Sequence, residues 1–248
     1  MCKLGLGDIV IKKVKKKKIR IIPCIIFIIV LCLLYFGIKY YLNIPTKNIF
    51  IYNNNLLNDQ EIIDLAELDN YPKYYSFRKK DIEKKLKQNP YIESVKVKRT
   101  FFHKIEIHIK EYEILLYDFS SNNYILSNGK KVSSKKYNSR GYPTLLNYVS
   151  DEVYDRFINQ LNKLDDNIIN QISEIKYDPS KYDNGRFFLT MNDGNYIYTN
   201  LSKSKDSDTY NFELLNLYNE IYPSFEGHIG ILYLDSGYGD ASEYKIIK

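Results

Sequence analysis

The sequence has no cysteine after position 42; its three, Cys2, Cys24 and Cys32, all fall earlier. A disulfide framework is therefore excluded from the rest of the chain, which must be held by its own core. Tryptophan is missing altogether, against 25 tyrosines, and there are only three histidines, His103, His108 and His228. The odd spacing of His103 and His108 puts them on opposite faces of one strand, so they cannot share a metal. His228 lies in a loop next to Gly227, and all three read as surface histidines. Gly-x-Ser-x-Gly, a Walker loop, a dinucleotide fingerprint and His-Glu-x-x-His are all absent. No catalytic residue, cofactor site or metal site is expected, and no small-molecule substrate.

Positive charge is also missing from most of the chain. The net charge of +6 comes from residues 1–20, which hold eight basic residues against one acid, Asp8. From position 43 onward there are 27 basic and 29 acidic residues. A nucleic-acid binder would spread its basic charge over the folded part, so nucleic acid is not an expected partner.

What the sequence does have is one long apolar run. The 18 residues Ile21–Ile38 carry no charge, enough to cross a hydrocarbon layer of about 30 Å as a helix. Arg20 and Lys39 flank the run, and Tyr35, Phe36, Tyr40 and Tyr41 form an aromatic belt at one end. The lysines before it place the N-terminus in the cytoplasm, against anionic lipid. No small-residue cleavage site follows, so the segment is expected to stay as an anchor.

Residues 47–113 read as strand, helix, helix, strand, strand. Lys47–Tyr52 alternates, and Asn53-Asn54-Asn55 makes a turn. Asn58 and Glu61 have capping-box spacing, with Ile62, Leu65, Ala66 and Leu68 on one helix face. Tyr74, Tyr75 and Phe77 are core or lid aromatics. A second helix over Arg78–Gln88 buries Ile82 and Leu86 and stops before Pro90. Val95 and Val97 mark one strand. Ile105, Ile107 and Ile109 mark another, with one covered and one wet face.

From 114 onward, Asn128-Gly129 and Asp193-Gly194 each centre a hairpin. Ser150 is placed to cap a helix burying Val153, Phe157, Leu161 and Leu164. A last helix near Thr209–Tyr222 is expected to bury Leu214, Leu217, Tyr218 and Ile221. The apolar run Ile229–Asp235 reads as the closing strand, and Lys203–Asp208 as a polar loop.

The stretch Asn48–Asn54, Asp81-Ile82 with Leu86, Asn89–Arg99 and Ile105–Glu111 resembles a POTRA domain. The kind it matches is the membrane-proximal one of the FtsQ/DivIB cell-division family. The chain departs from the family pattern at Asn53-Asn54-Asn55 and Glu111–Ile114, and at Thr100–His103, where the family's proline is missing. The later order, with Pro143-Thr144-Leu145 and the Asp193-Gly194 hairpin, is similar to the family's β-domain.

The resemblance implies an α+β chain: a cytoplasmic tail (1–20), a transmembrane helix (21–42), a POTRA-like βααββ domain (43–113) and a β-domain (114–248). The β-domain is expected to be a second, mixed domain with an antiparallel sheet flanked by helices. The implied function is a non-enzymatic divisome scaffold at the septum. Its partners would be FtsL-like and DivIC/FtsB-like membrane proteins, joined by strand addition at the last sheet edge. The matching segment is about 233–244, with Tyr233, Asp235, Ser236, Tyr238 and Tyr244 as candidate contacts. Two other readings are a POTRA component of another envelope or export assembly, and a membrane-anchored cell-wall enzyme.

Overall fold

The computed structural model describes residues 21–133, 141–204, 208–221, 227–235 and 243–248. The basic tail, and with it the expected contact with anionic lipid, falls outside the described residues. Helix α1, Ile21–Leu42, is 22 residues long and buries none of them against the rest of the chain. Among the described helices, α1 alone is long and apolar enough to cross a membrane; at about 1.5 Å per residue it is about 33 Å long. The chain then docks at once. The Thr46 amide (3.0 Å) and hydroxyl (2.8 Å) both donate to the Pro72 carbonyl. Tyr74 N–H donates to Ile44 O (3.0 Å), and Lys47 N–H to His103 O (2.9 Å).

Next come β1 (Asn48–Tyr52), α2 (Asp59–Leu65), α3 (Lys79–Leu86), β2 (Ile92–Thr100) and β3 (Lys104–Glu111). They form a three-stranded sheet of order β1-β3-β2, with β1 parallel and β2 antiparallel to the central strand. Strand alternation puts Ile105, Ile107 and Ile109 into a core with Ile62, Ile82, Leu86 and Val97. The capping box closes at both bonds: Glu61 N–H donates to Asn58 Oδ1 and Asn58 N–H to Glu61 Oε2, each 2.9 Å. The Glu111 carboxylate accepts from the amides of Asn55, Leu56 and Leu57 at 2.8, 2.6 and 2.9 Å.

Three details differ from the sequence reading. Leu65 stays exposed, because α2 ends there and only Ile62, Ala66 and Leu68 reach the core. Arg78 is the N-cap of α3 rather than its first residue. His103 is not on the strand with His108: Phe101–His103 form a tight turn at the β2–β3 tip, with Phe102 and His103 both left-handed (φ 62° and 60°). Nor are these two histidines free surface side chains. His108 stacks on Tyr52 (4.8 Å), and His103 packs edge-on to Tyr74 (5.1 Å).

The second part contains β4 (Ile114–Asp118), β5 (Asn123–Leu126), β6 (Lys131–Ser133), β7 (Thr144–Leu145), α4 (Asp151–Leu161) and α5 (Asp166–Ile169). It continues with β8 (Ile172–Tyr177), β9 (Arg186–Met191), β10 (Tyr196–Asn200), α6 (Tyr218–Ile221), β11 (Gly230–Tyr233) and β12 (Glu243–Ile246). The strands make one nine-stranded sheet of order β12-β11-β10-β9-β8-β7-β4-β5-β6. It is mixed rather than purely antiparallel, since β4–β7, β7–β8 and β10–β11 pair in parallel. α4 lays Val153, Phe157 and Leu161 on one sheet face, where Phe157 stacks on Phe187 at 4.5 Å.

Ser150 stands at the N-cap of α4, but its hydroxyl meets the Tyr177 hydroxyl (3.2 Å) and does not cap the helix. Asp151 and Glu152 supply the negative charge that suits the first turn. The expected last helix is a 3-10 turn, Glu213–Leu217, followed by α6. The tighter period moves the buried stripe to Phe212, Leu215 and Tyr218, three apart, and leaves Leu217 outside. The first part meets the second where Leu56, Tyr91 and Tyr112 pack against Ile114, Tyr124, Leu126 and Val132.

Asp118, 1% exposed at the end of β4, accepts from Lys131 Nζ (2.8 Å), from the Ser120 hydroxyl (2.6 Å) and amide (3.0 Å), and from the Ser121 hydroxyl (2.7 Å). Burial opposes its charge, but the bonds from Lys131, Ser120 and Ser121 and the Lys131 charge bring its pKa down to about 2. A pKa lower in the folded than in the unfolded chain stabilises fully above about pH 4, and the gain is lost as pH falls through about 2. Asp118→Asn is expected to cost about 2 kcal/mol at pH 7. In urea unfolding of the detergent-solubilised chain, the gap between the variant and the natural protein closes between about pH 4 and pH 2.

Candidate partner-binding edge

The nine-stranded sheet ends in β12, which pairs with β11 on one side only. Its residues are exposed except for the half-buried Tyr244. The Ile247 amide donates inward to Ile229 O (2.8 Å). By the alternation of an antiparallel pair, the amides of Lys245 and Glu243 also face β11, and those of Tyr244 and Ile246 face out. Among the described residues, no strand pairs with the outer side of β12.

Two devices seat β12. Gly230 lies opposite Ile246, where a Cβ would come within 2.5 Å of both the Lys245 carbonyl and the Tyr244 ring. Only a residue without Cβ permits that approach. The second is buried Asn195, whose Oδ1 accepts from the Gly230 amide and the Tyr244 hydroxyl, both at 3.0 Å. Its Nδ2 donates to the Tyr218 hydroxyl (3.2 Å), which in turn donates to Asp193 (2.5 Å). The last two strands are thus tied to the β9–β10 hairpin by side chains as well as by the ladder.

On the sheet face away from Phe187, Leu189 and Ile197, a row of half-buried rings runs towards the edge. Phe188 meets Tyr198 (4.7 Å), and Tyr198 stacks on Tyr233 (5.5 Å). Arg186 covers Tyr198 at 3.8 Å and donates from Nε to Asp235 (2.7 Å). Burial works against the Arg186 charge, but the Asp235 bond and charge, with Tyr198 and Asp178, outweigh it and raise its pKa.

The structure describes three of the five expected contact residues and puts them in separate places. Tyr233 lies one strand in from the edge, on β11, with its ring on the aromatic row. Asp235 is engaged by Arg186. Tyr244 is on the edge strand itself, with its ring against the core. Ser236 and Tyr238 lie outside the described residues. Asn195, Gly230 and Arg186 were not singled out from the sequence. The spacing Asp193-Gly194-Asn195 marks a hairpin but not a hub, and the role of Gly230 depends on a strand distant in sequence. Among the described residues, no group of His, Cys, Asp and Glu is placed to hold a metal.

Fold and edge together define a protein with a POTRA-type unit next to an apolar helix and a mixed-sheet unit ending in an open strand. Residues 44–112 match the model of the FtsQ-type POTRA domain. The chain is 30% identical over 197 residues to the cell division protein DivIB of Bacillus subtilis, covering 76% of this chain and 73% of that one. It is also 30% identical over 182 residues to DivIB of Bacillus cytotoxicus, covering 71% and 69%. The solved major extracytoplasmic domain of Geobacillus stearothermophilus DivIB aligns at 21% identity and a TM-score of 0.36, over 47% of this chain and 96% of that one. The chain belongs to the DivIB family of cell-division proteins.

Gly230→Ala is expected to push β12 off the sheet at a cost of about 1–3 kcal/mol. Amide hydrogen exchange is the check: protection is lost at the inward amides of Glu243, Lys245 and Ile247 and kept in β8 and β9.

Proposed function

We propose that this chain is a non-enzymatic divisome scaffold that recruits other single-pass membrane proteins at the division septum. The observation that carries this reading is the position of β12 at the end of the sheet order among the described strands, seated by Gly230 and Asn195 beside an aromatic face. A strand added there gains affinity from backbone bonds and selectivity from alternate side chains. FtsL-like and DivIC/FtsB-like proteins are the partners. The organisation is a basic cytoplasmic tail (1–20) on anionic lipid, the anchor (21–42), and two extracytoplasmic domains meeting near residue 113. Tyr233, Asp235, Ser236, Tyr238 and Tyr244 belong to the partner face. Tyr233 and Asp235 act from the sheet face, and Tyr244 acts by keeping β12 in register.

Ile246→Pro tests the edge. Proline removes one outward amide, a change an edge strand tolerates and a strand pairing on both sides does not. Pull-down of the DivIC/FtsB-like partner is expected to fall about tenfold or more, while the thermal unfolding midpoint of the variant stays near that of the natural chain. Unchanged capture by a folded variant removes β12 as the docking strand. A fluorescently tagged copy spread evenly around the cell, with no band at mid-cell, counts against the division role.

A further inference from the structure

The β2–β3 tip carries two adjacent phenylalanines with no core to enter: Phe101 is 88% and Phe102 76% exposed. A left-handed, non-glycine pair at Phe102 and His103 holds the turn. Exposed neighbouring aromatics on a strained turn point to a surface that is covered in use.

The tip sits at the end of α1. Tyr41, in the last turn of that helix, lines one concavity with Tyr74, Tyr75 and the tip residues Phe101, Phe102 and His103. The Tyr75 hydroxyl donates to the Tyr41 hydroxyl (2.8 Å), and the Tyr41 and His103 rings meet at 5.4 Å. Arg99 stiffens the base of the hairpin, with its guanidinium 4.9 Å from the Phe77 ring and a bond to the Phe77 carbonyl. If Tyr41 is at the membrane surface, the tip is held at that surface too. Aromatic side chains are favoured there.

The charge of the surroundings fits the same surface. Three segments converge on the helix exit: 40–47, 71–80 and 96–105. They hold Lys47, Lys73, Lys98, Arg99 and Lys104 among their basic residues and no Asp or Glu. Lys47, Lys73 and Lys98 are exposed. An apolar wedge ringed by cations suits an anionic lipid interface and would be poorly matched to a basic partner.

We propose that Phe101 and Phe102 are a second membrane contact, inserted among the headgroups of the leaflet from which α1 emerges. Resting on the reading of α1 as the anchor, this fixes the tilt and rotation of the first folded unit on the bilayer. One pivot becomes two.

The lack of tryptophan makes the test clean, because any Trp introduced is the only one present. The full chain is reconstituted in phosphatidylcholine–phosphatidylglycerol vesicles, with and without lipids brominated high on the acyl chain. Phe102→Trp and, separately, Phe101→Trp report the tip. Phe36→Trp reports the anchor, and Tyr182→Trp, on a side chain 92% exposed in the second part, reports the aqueous baseline. Brominated lipid is expected to lower tip emission about twofold or more and to leave Tyr182→Trp unchanged. Tip probes quenched no more than Tyr182→Trp, beside a quenched Phe36→Trp, overturn the contact and leave the anchor standing. An unquenched Phe36→Trp overturns both.

Discussion

One carboxylate sets the geometry of the junction. Glu111 ends the central strand of the first sheet and accepts three consecutive amides from the turn after β1. Bonds to an ionised acceptor contribute about 1.5–3 kcal/mol each, so this residue can fix where β1 stops and α2 begins. Directly after it, Tyr112 N–H donates to Tyr91 O (2.8 Å), and β4 starts at Ile114. The register of the first sheet thereby determines where the second begins. Leu56, one of the three amide donors, packs with Tyr91 and Tyr112 against the cluster at Ile114 and Tyr124. The same turn therefore serves both parts.

A second clamp acts at the other end of the first part. Thr46, 3% exposed, directs both its amide and its hydroxyl to the Pro72 carbonyl. A buried polar side chain is tolerated when its bonds are made, and this one converts the connection after α1 from a flexible tether into a fixed joint. Movement of the helix is thus passed to the first sheet through Tyr74, Pro72 and His103, all bonded to the exit segment. With few residues between helix and sheet, the side chains around the exit are held near the depth of the helix end.

Much of this was legible in local chemistry. The apolar run, the Asn58–Glu61 box, the isoleucine alternation in β3 and the two Gly-centred turns all depend on residues a few positions apart, and they formed as their spacing predicts. The misses depend on distant residues. Ser150 has a capping position but prefers Tyr177, a partner 27 residues on. The last helix has an ambiguous pattern that reads at either period, and burial of Phe212, Leu215 and Tyr218 selects three over 3.6. The segment Tyr233–Tyr244 reads as continuous in sequence, whereas Tyr233 belongs to β11 and Tyr244 to β12. Strand order is set by pairing across the whole sheet, which no local pattern in a single sequence encodes.

The strand order also separates the two proposed contact surfaces. β12 lies six positions from β4 in the sheet, or about 29 Å at a spacing near 4.8 Å. The exit of α1 and the aromatic tip belong to the first sheet, on the other side of the β3–β4 junction. The Asn195 hub joins Asp193, Tyr218, Gly230 and Tyr244, all of them in the second part. Groups that far apart without shared partners act additively. Substitutions at β12 and at the aromatic tip are therefore expected to have independent effects.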